Sequence, residues 1–247
     1  MKIKPPFKHK KIVLLSLGGS VGKTLLTVQC LYPHMPDAQI LCVDQTNTTA
    51  ANFGITGCVS LSGEEFDEAF RHMMAGNVDV IADVGGSKEC DQFLSGMLEI
   101  GSDAITHFII PSKPDSKDQT CAKETIDRLL LSGVDADKIK VIFMETKKDT
   151  AKEFKQLIED MEKRNVDVNL ERTLFSNVLF DTMIKDISLI TSILADTTDY
   201  NKAAEERKEG DTTDYVGKYI NKQKAVRTVW PNLQAVYEAI FAALAKG

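Results

Sequence analysis

The stretch "KIVLLSLGGSVGKTLL", residues 11–26, constrains this chain more than any other. An apolar run ends at Ser16, a loop with Gly18, Gly19, Ser20 and Gly22 follows, and Lys23-Thr24 open a helical pattern. Strand, glycine loop and helix start, in that order, make an anion site. Glycines let successive N–H groups turn towards one anion, and the helix N-terminus adds partial positive charge. In a phosphate loop, Lys23 would neutralise the β and γ phosphates and the Thr24 hydroxyl would hold Mg²⁺. The full pattern asks for a glycine five residues before Gly22, where this chain carries Leu17. The residues expected to touch nucleotide are Gly18, Gly19, Ser20, Val21, Gly22, Lys23, Thr24 and Leu25.

A phosphate loop needs carboxylates near its metal. Asp44 follows the apolar "QILCV" (39–43), and Asp83 ends "VDVIAD" (78–83). Carboxyl ends of parallel strands lie on the edge where ligands bind such sheets. Asp83 is therefore expected beside Mg²⁺ with Thr24, and Asp44 is the candidate for positioning a water molecule, with Lys23 as its catalytic partner. Gly85-Gly86 would let backbone approach a γ-phosphate, as in loops that sense nucleotide state.

Further candidate strands are 104–110, 138–144 and a weaker 171–176, with amphipathic helical stretches between them. One of these, "GEEFDEAFRHMMAG", follows Ser62 with Glu65 three residues on, a capping-box signature. Strands alternating with helices imply right-handed crossovers. The expected fold is α/β, a three-layer α/β/α P-loop NTPase with a mainly parallel central sheet. One domain is expected over 1–247, with a basic arm at 1–11, a polar exposed excursion at 197–215 and a C-terminal helix at 230–246. Residues 177–196 read as one long apolar helix packed on the sheet or on a second subunit, since Asp181, Lys185 and Asp186 oppose stable membrane insertion.

The five cysteines are scattered without a C-x-x-C pair, and the four histidines are dispersed, so disulfides and zinc are not expected. No apolar run reaches membrane-span length and no signal-peptide pattern follows the basic start, so a cytoplasmic location is expected. The net charge of −6 opposes a uniformly basic surface. Two acid-free patches remain, Lys2, Lys4, Lys8, Lys10 and Lys11 in the arm, and Lys218, Lys222, Lys224 and Arg227 later. Each fits either a solvated surface or weak, salt-sensitive attraction to DNA phosphates.

The order "GGSVGKT", "VDQTNTTAANFG", "VIADVGG" and "FIIPSKPDSKDQTCAKETI" resembles the ParA/MinD branch of P-loop ATPases, with StbB-like plasmid-stability proteins the nearest in character. The resemblance implies ATP and Mg²⁺ as ligands, a nucleotide-dependent homodimer and a DNA-binding partner protein. It also implies a role in plasmid or mobile-element stability, partition or transfer. The chain departs from that family twice. Gly18 stands where the family's signature lysine would be, and Gln45-Thr46 follow Asp44 where the family carries a second aspartate. Those departures favour weak ATP hydrolysis, or an adaptor with negligible turnover. "ETKKDT" (145–150) contains Thr-Lys-Lys-Asp, a tetrad that reads guanine in some GTPases, so GTP is the alternative nucleotide.

Overall fold

The computed structural model describes residues 9–44, 49–62, 64–74, 77–205 and 213–242. Seven strands form one sheet: β1 Lys11–Leu14, β2 Gln39–Val43, β3 Val59–Leu61, β4 Val80–Val84, β5 His107–Ser112, β6 Ile139–Thr146 and β7 Thr173–Phe175. Their order is β3-β2-β4-β1-β5-β6-β7, and every pairing is parallel. Strand β1 is thus central, with β4 on one side and β5 on the other. The loop after β1 emerges at the middle of the carboxyl edge, and the loops after β4 and β5 flank it.

Strict alternation divides the sheet into two faces. Val13, Leu15, Val80, Ala82, Phe108 and Ile110 pack with the helices Phe66–Met74, Ser87–Ile100, Ser116–Leu131 and Lys155–Lys163. Ile12, Leu14, Ile81, Ile109 and Ile142 face the opposite way, onto helical residues 23–34, the helix Val178–Lys185 and the C-terminal helical run. Covering both faces explains why the strands read as near-continuous apolar runs. This is the expected three-layer α/β/α arrangement.

Departures from the sequence reading have local causes. Strand β3 was not expected: it has three residues on the sheet's edge, too few for a periodic signal. The stretch 177–196 is not one helix but two, Val178–Lys185 and Ile190–Ala195, with Ile187 in left-handed backbone at φ 49° between them. The buried Gln29 amide fixes this break, donating to Ser188 O at 2.8 Å and accepting from Ile190 N–H at 2.7 Å. The expected excursion 197–215 contains the helices Tyr200–Glu205 and the start of Thr213–Lys224, and its residues 206–212 lie outside the described ones. The expected C-terminal α-helix runs Trp230–Phe241, and residues 243–246 lie outside the described ones. A π-helical segment, Ala225–Val229, joins Thr213–Lys224 to Trp230–Phe241 without interruption. Pro231 has no N–H to give the ladder, and a π segment just upstream accommodates that inside a continuous helix.

Strands β3 and β7 are the edges of the sheet, and β7 is guarded by one side chain. The Asn232 amide accepts from Phe175 N–H at 2.9 Å and donates to Thr173 O at 2.8 Å, filling the place a further strand would take. At the opposite, amino rim the basic start of the chain is partly absorbed into the fold. Lys11 is fully buried with its ammonium on Val78 O at 2.8 Å, and Lys10 stands 5.0 Å from the Phe241 ring centroid. Neither is a free arm residue, a correction to the expected arm; Lys2, Lys4 and Lys8 lie outside the described residues.

Candidate functional site

The loop after β1 is pinned at its first residue. Leu17 N–H donates to Thr125 Oγ1 at 3.1 Å, and Leu17 O accepts from Ser87 Oγ at 2.7 Å. Its side chain, 8% exposed, belongs to the core beneath the sheet. Leucine at the missing glycine therefore points away from the loop's concavity. Leu17 is not among the left-handed residues, so glycine is not required there. Two side chains on separate helices do what conformational freedom does elsewhere.

Beyond Leu17 the loop needs unusual backbone. Ser20 has φ 58° and Gly22 has φ 99°, on either side of Val21. Left-handed residues interleaved with ordinary ones build nests of N–H groups that hold anions. A Cβ at Gly22 would also lie 2.6 Å from Met144 Cε, the tip of a flexible side chain that would have to move. Gly18 is closed in as well, since a Cβ would meet Val21 Cγ1 at 3.1 Å and Asp118 Oδ1 and Cys121 Cβ at 3.4 Å. Gly19, by contrast, is exposed and unobstructed.

Lys23 and Thr24 follow at the start of the helical run 23–34. The Lys23 ammonium is buried and donates to Gly18 O at 3.3 Å, curling back over the loop it follows. Burial lowers its pKa, and the carboxylates of Asp83, Asp44 and Glu89 and the Cys90 thiol pull the other way. Thr24 Oγ1 donates to Asp83 Oδ2 at 2.7 Å. Burial pushes the Asp83 carboxyl up to about 6, with the Thr24 hydrogen bond and Lys23 opposing and Asp44 adding to the rise. Asp44 is half-buried against Gly85, where a Cβ would come within 2.9 Å of its carboxylate. The glycine after Asp83 thus makes room for the carboxylate after β2. Residues Gln45 to Thr48 lie outside the described ones.

A cavity of about 630 Å³ opens from this cluster, lined by Gly19 to Leu25, Asp44, Asp83, Gly85 and Gly86. Every expected site residue except Gly18 lines it. It continues past Lys113, Met144 and Glu145 to Phe175, Asn177 and Phe180 at the β7 side. This second half carries no sequence signature, because its residues come from separate strand ends. The Thr146-Lys147-Lys148-Asp149 tetrad does not line the cavity. The N–H groups of Lys147, Lys148 and Asp149 all donate to the Glu153 carboxylate, and Asp149 caps the next helix by accepting from Lys152 N–H at 3.2 Å. The tetrad is a capping turn.

The donor set fits a hydrated divalent cation. A hydroxyl bonded to a buried carboxylate, with a second carboxylate beside it, is the oxygen chemistry that Mg²⁺ takes. Among the described residues no group of three or more His, Cys, Asp or Glu side chains could hold a metal ion by itself. Mg²⁺ usually shares its ligands between protein and phosphate, so the two observations agree.

The second basic patch is only partly free. Lys218 stands 6.0 Å from the Tyr215 ring centroid and Lys222 5.9 Å from that of Tyr200, while Arg227 is exposed. No helix among the described residues is long and apolar enough to cross a membrane.

No protein-family model matches this sequence, and no curated protein matches it. Solved structures do. The McdA(D38A)–ATP complex of Cyanothece aligns with a TM-score of 0.50 at 12% identity, over 89% of this chain and 97% of that one. Apo McdA gives a TM-score of 0.51 at 11% identity, over 88% and 99%. A chain of the MinC:MinD cell division protein complex of Aquifex aeolicus gives 0.50 at 15%, over 71% and 85%. The likeness is one of fold: this chain has the parallel α/β architecture of the ParA/MinD P-loop ATPases.

Proposed function

We propose that this chain is a Mg-ATP-binding switch ATPase of the ParA type, serving the stability, partition or transfer of plasmid or mobile-element DNA. One observation carries the reading: the Thr24 hydroxyl on the buried Asp83 carboxylate, 2.7 Å apart, beside a buried Lys23 ammonium at the mouth of a left-handed glycine loop. In this reading the amides from Gly19 to Thr24 and the Lys23 ammonium bind the triphosphate. Thr24 and Asp83 would hold Mg²⁺, which when bound would supply positive charge to offset that of the phosphates. Asp44 orients water at the γ-phosphate side. The Asp44 side chain packs against Gly85, the second residue after Asp83, so a γ-phosphate that orders one strand end bears on the other.

ATP is favoured over GTP because Asp149, the residue that would accept from guanine, is spent as a helix cap away from the cavity. The similar structures support the same reading, one being an ATP complex and another a complex of MinD with MinC. A nucleotide-dependent homodimer, a DNA-binding partner protein and the StbB-like character rest on the sequence resemblance. Cytoplasmic location is part of the proposal, as is the single nucleotide-binding domain over 1–247.

A second reading, an adaptor with negligible turnover, has a specific observation behind it. Gly18 occupies the signature-lysine position, and side chains of Val21, Asp118 and Cys121 close the space around it. Titration calorimetry with Mg-ATP and Mg-GTP on the wild type and Lys23→Ala tests the binding site. Phosphate release with and without DNA separates switch from adaptor. Equal ATP affinity in wild type and Lys23→Ala would overturn the assignment, and guanine preference would overturn the nucleotide.

A further inference from the structure

The middle of the cavity holds an ion pair that the phosphate cluster does not use. Lys113 follows β5 and Glu145 lies near the end of β6, and their charged atoms meet at 2.8 Å. Both line the cavity, between the phosphate loop and the β7 side. Three features single the pair out from the surface ion pairs elsewhere on the chain.

First, Glu145 is a non-glycine residue in left-handed backbone, φ 54°, within a strand. Such strain persists only where surrounding structure imposes it, and it collects at ligand-handling sites. Second, the neighbouring Met144 sits against the phosphate loop, 2.6 Å from where a Cβ on Gly22 would be. The same two residues of β6 therefore touch the loop and hold the lysine. Third, the charge count at the phosphate end is unfavourable for a polyanion: Lys23 stands among Asp83, Asp44 and Glu89. A Mg-triphosphate keeps net negative charge, and Lys113 is a cation placed one strand from the loop, since β5 pairs directly with β1.

We propose that Lys113 is the cavity's second phosphate-binding cation, held aside by Glu145 until a nucleotide's phosphates exchange for that carboxylate. The inference rests on the nucleotide reading above and names the residue that reads phosphate charge. The exchange is easy to make. The Lys113 and Glu145 side chains are 25% and 53% exposed, and an ion pair so open to water is worth little. A charged hydrogen bond to phosphate within the cavity is worth more. Glu145 acts through Lys113 and is a positioning residue. Glu145 lines the cavity from left-handed backbone and holds Lys113 there.

The test compares Lys113→Gln, Glu145→Gln and the double variant. Affinities are measured for a non-hydrolysable ATP analogue, for ADP and for adenosine at two salt concentrations. Lys113→Gln is expected to weaken the triphosphate on the order of tenfold. It should weaken ADP less, leave adenosine unchanged and flatten the salt dependence. Glu145→Gln is expected to tighten the triphosphate several-fold, and the double variant to match Lys113→Gln alone. Glu145→Gly, which relieves the backbone strain, should tighten binding in the same way and shows that the fold is kept if its melting temperature holds. Equal triphosphate affinity in wild type and Lys113→Gln, or equal losses for triphosphate and adenosine, would overturn the proposal while leaving the nucleotide site standing. Absence of any nucleotide binding by the wild type would overturn the reading beneath it instead.

Discussion

Restoring the glycine that the phosphate-loop pattern asks for should damage this protein. Leu17→Gly removes a side chain that is 8% exposed and packed in the core, from a residue whose N–H and C=O are already fixed by Thr125 and Ser87. Truncating a buried leucine to alanine costs about 2–5 kcal/mol in transfer and cavity terms. Going on to glycine adds roughly 0.4–1 kcal/mol through the freedom gained by the unfolded chain. A slight discount for the residual exposure leaves about 4 kcal/mol. That is a large share of the roughly 5–15 kcal/mol that holds a native domain together. In a chain of this length it lowers the melting temperature by roughly 8–16 °C.

Urea unfolding of the nucleotide-free protein measures that loss, and calorimetry below the transition measures ATP affinity. The expected pair of results is a large drop in stability with affinity equal to or below wild type. Leu17→Met, which conserves volume, should cost less than about 1.5 kcal/mol and keep binding. If Leu17→Gly instead bound ATP more tightly while unfolding within about 1 kcal/mol of wild type, a spread typical of surface changes, leucine would be obstructing the loop and the reasoning would fail.

Gly22→Ala faces left-handed backbone and a 2.6 Å approach to Met144 Cε; it should lose ATP binding and about 1–2 kcal/mol of stability, with binding partly regained in Gly22→Ala/Met144→Ala. Lys23→Met should abolish nucleotide binding yet leave the nucleotide-free protein as stable as wild type or more so, because burial opposes the ammonium's charge; a clear drop in melting temperature would contradict this. Asp83 supplies a pH test: its folded pKa, about 6, lies above the unfolded carboxylate's, so its stabilising contribution is full below pH 4 and is lost as pH rises through 6. The stability of Asp83→Asn relative to wild type should therefore climb between pH 4 and 7, and a flat difference profile would refute the burial argument. His107 works in the opposite sense, since burial and the Lys140 and Lys10 charges depress it to about 4. Its contribution is full above pH 6.5 and lost as pH falls towards 4, so His107→Gln should flatten the acid limb of the wild-type stability curve.

What could be read in advance was whatever is local in sequence. The strand–loop–helix around Lys23 is contiguous, and so are the apolar runs that end at Asp44 and Asp83. Their convergence follows from the rule that parallel strands share a carboxyl edge. The other half of the cavity was not legible, because Lys113, Glu145 and Phe175 come from three strand ends and no spacing in the sequence relates them. Leu17 misled for a related reason. A pattern that counts residues from Gly22 cannot show that Thr125, more than a hundred positions away, already holds the backbone. The turn that holds the Thr-Lys-Lys-Asp tetrad was equally hidden from the sequence: Glu153 gathers the amides of Lys147, Lys148 and Asp149.

Several of the positions where this chain breaks the rules of stable folding gather along one cavity. A buried ammonium at Lys23, a buried carboxyl at Asp83, and left-handed backbone at Ser20, Gly22 and Glu145 all lie along it. Elsewhere a buried charge comes with a settled partner, as when Arg172 lies on Asp167 and on the carbonyl of Ala239. Strained and buried charged groups held in place by the surrounding structure are the groups a ligand of opposite charge can relieve. In the proposed reading a magnesium-bound polyphosphate would act at both ends, giving Lys23 an anion and Asp83 a cation in place of desolvation. In that reading binding depends on the γ-phosphate, because the Asp44 side chain and Gly85, from two different strand ends, lie against each other. That dependence is what a switch requires, whether or not the bound nucleotide turns over quickly.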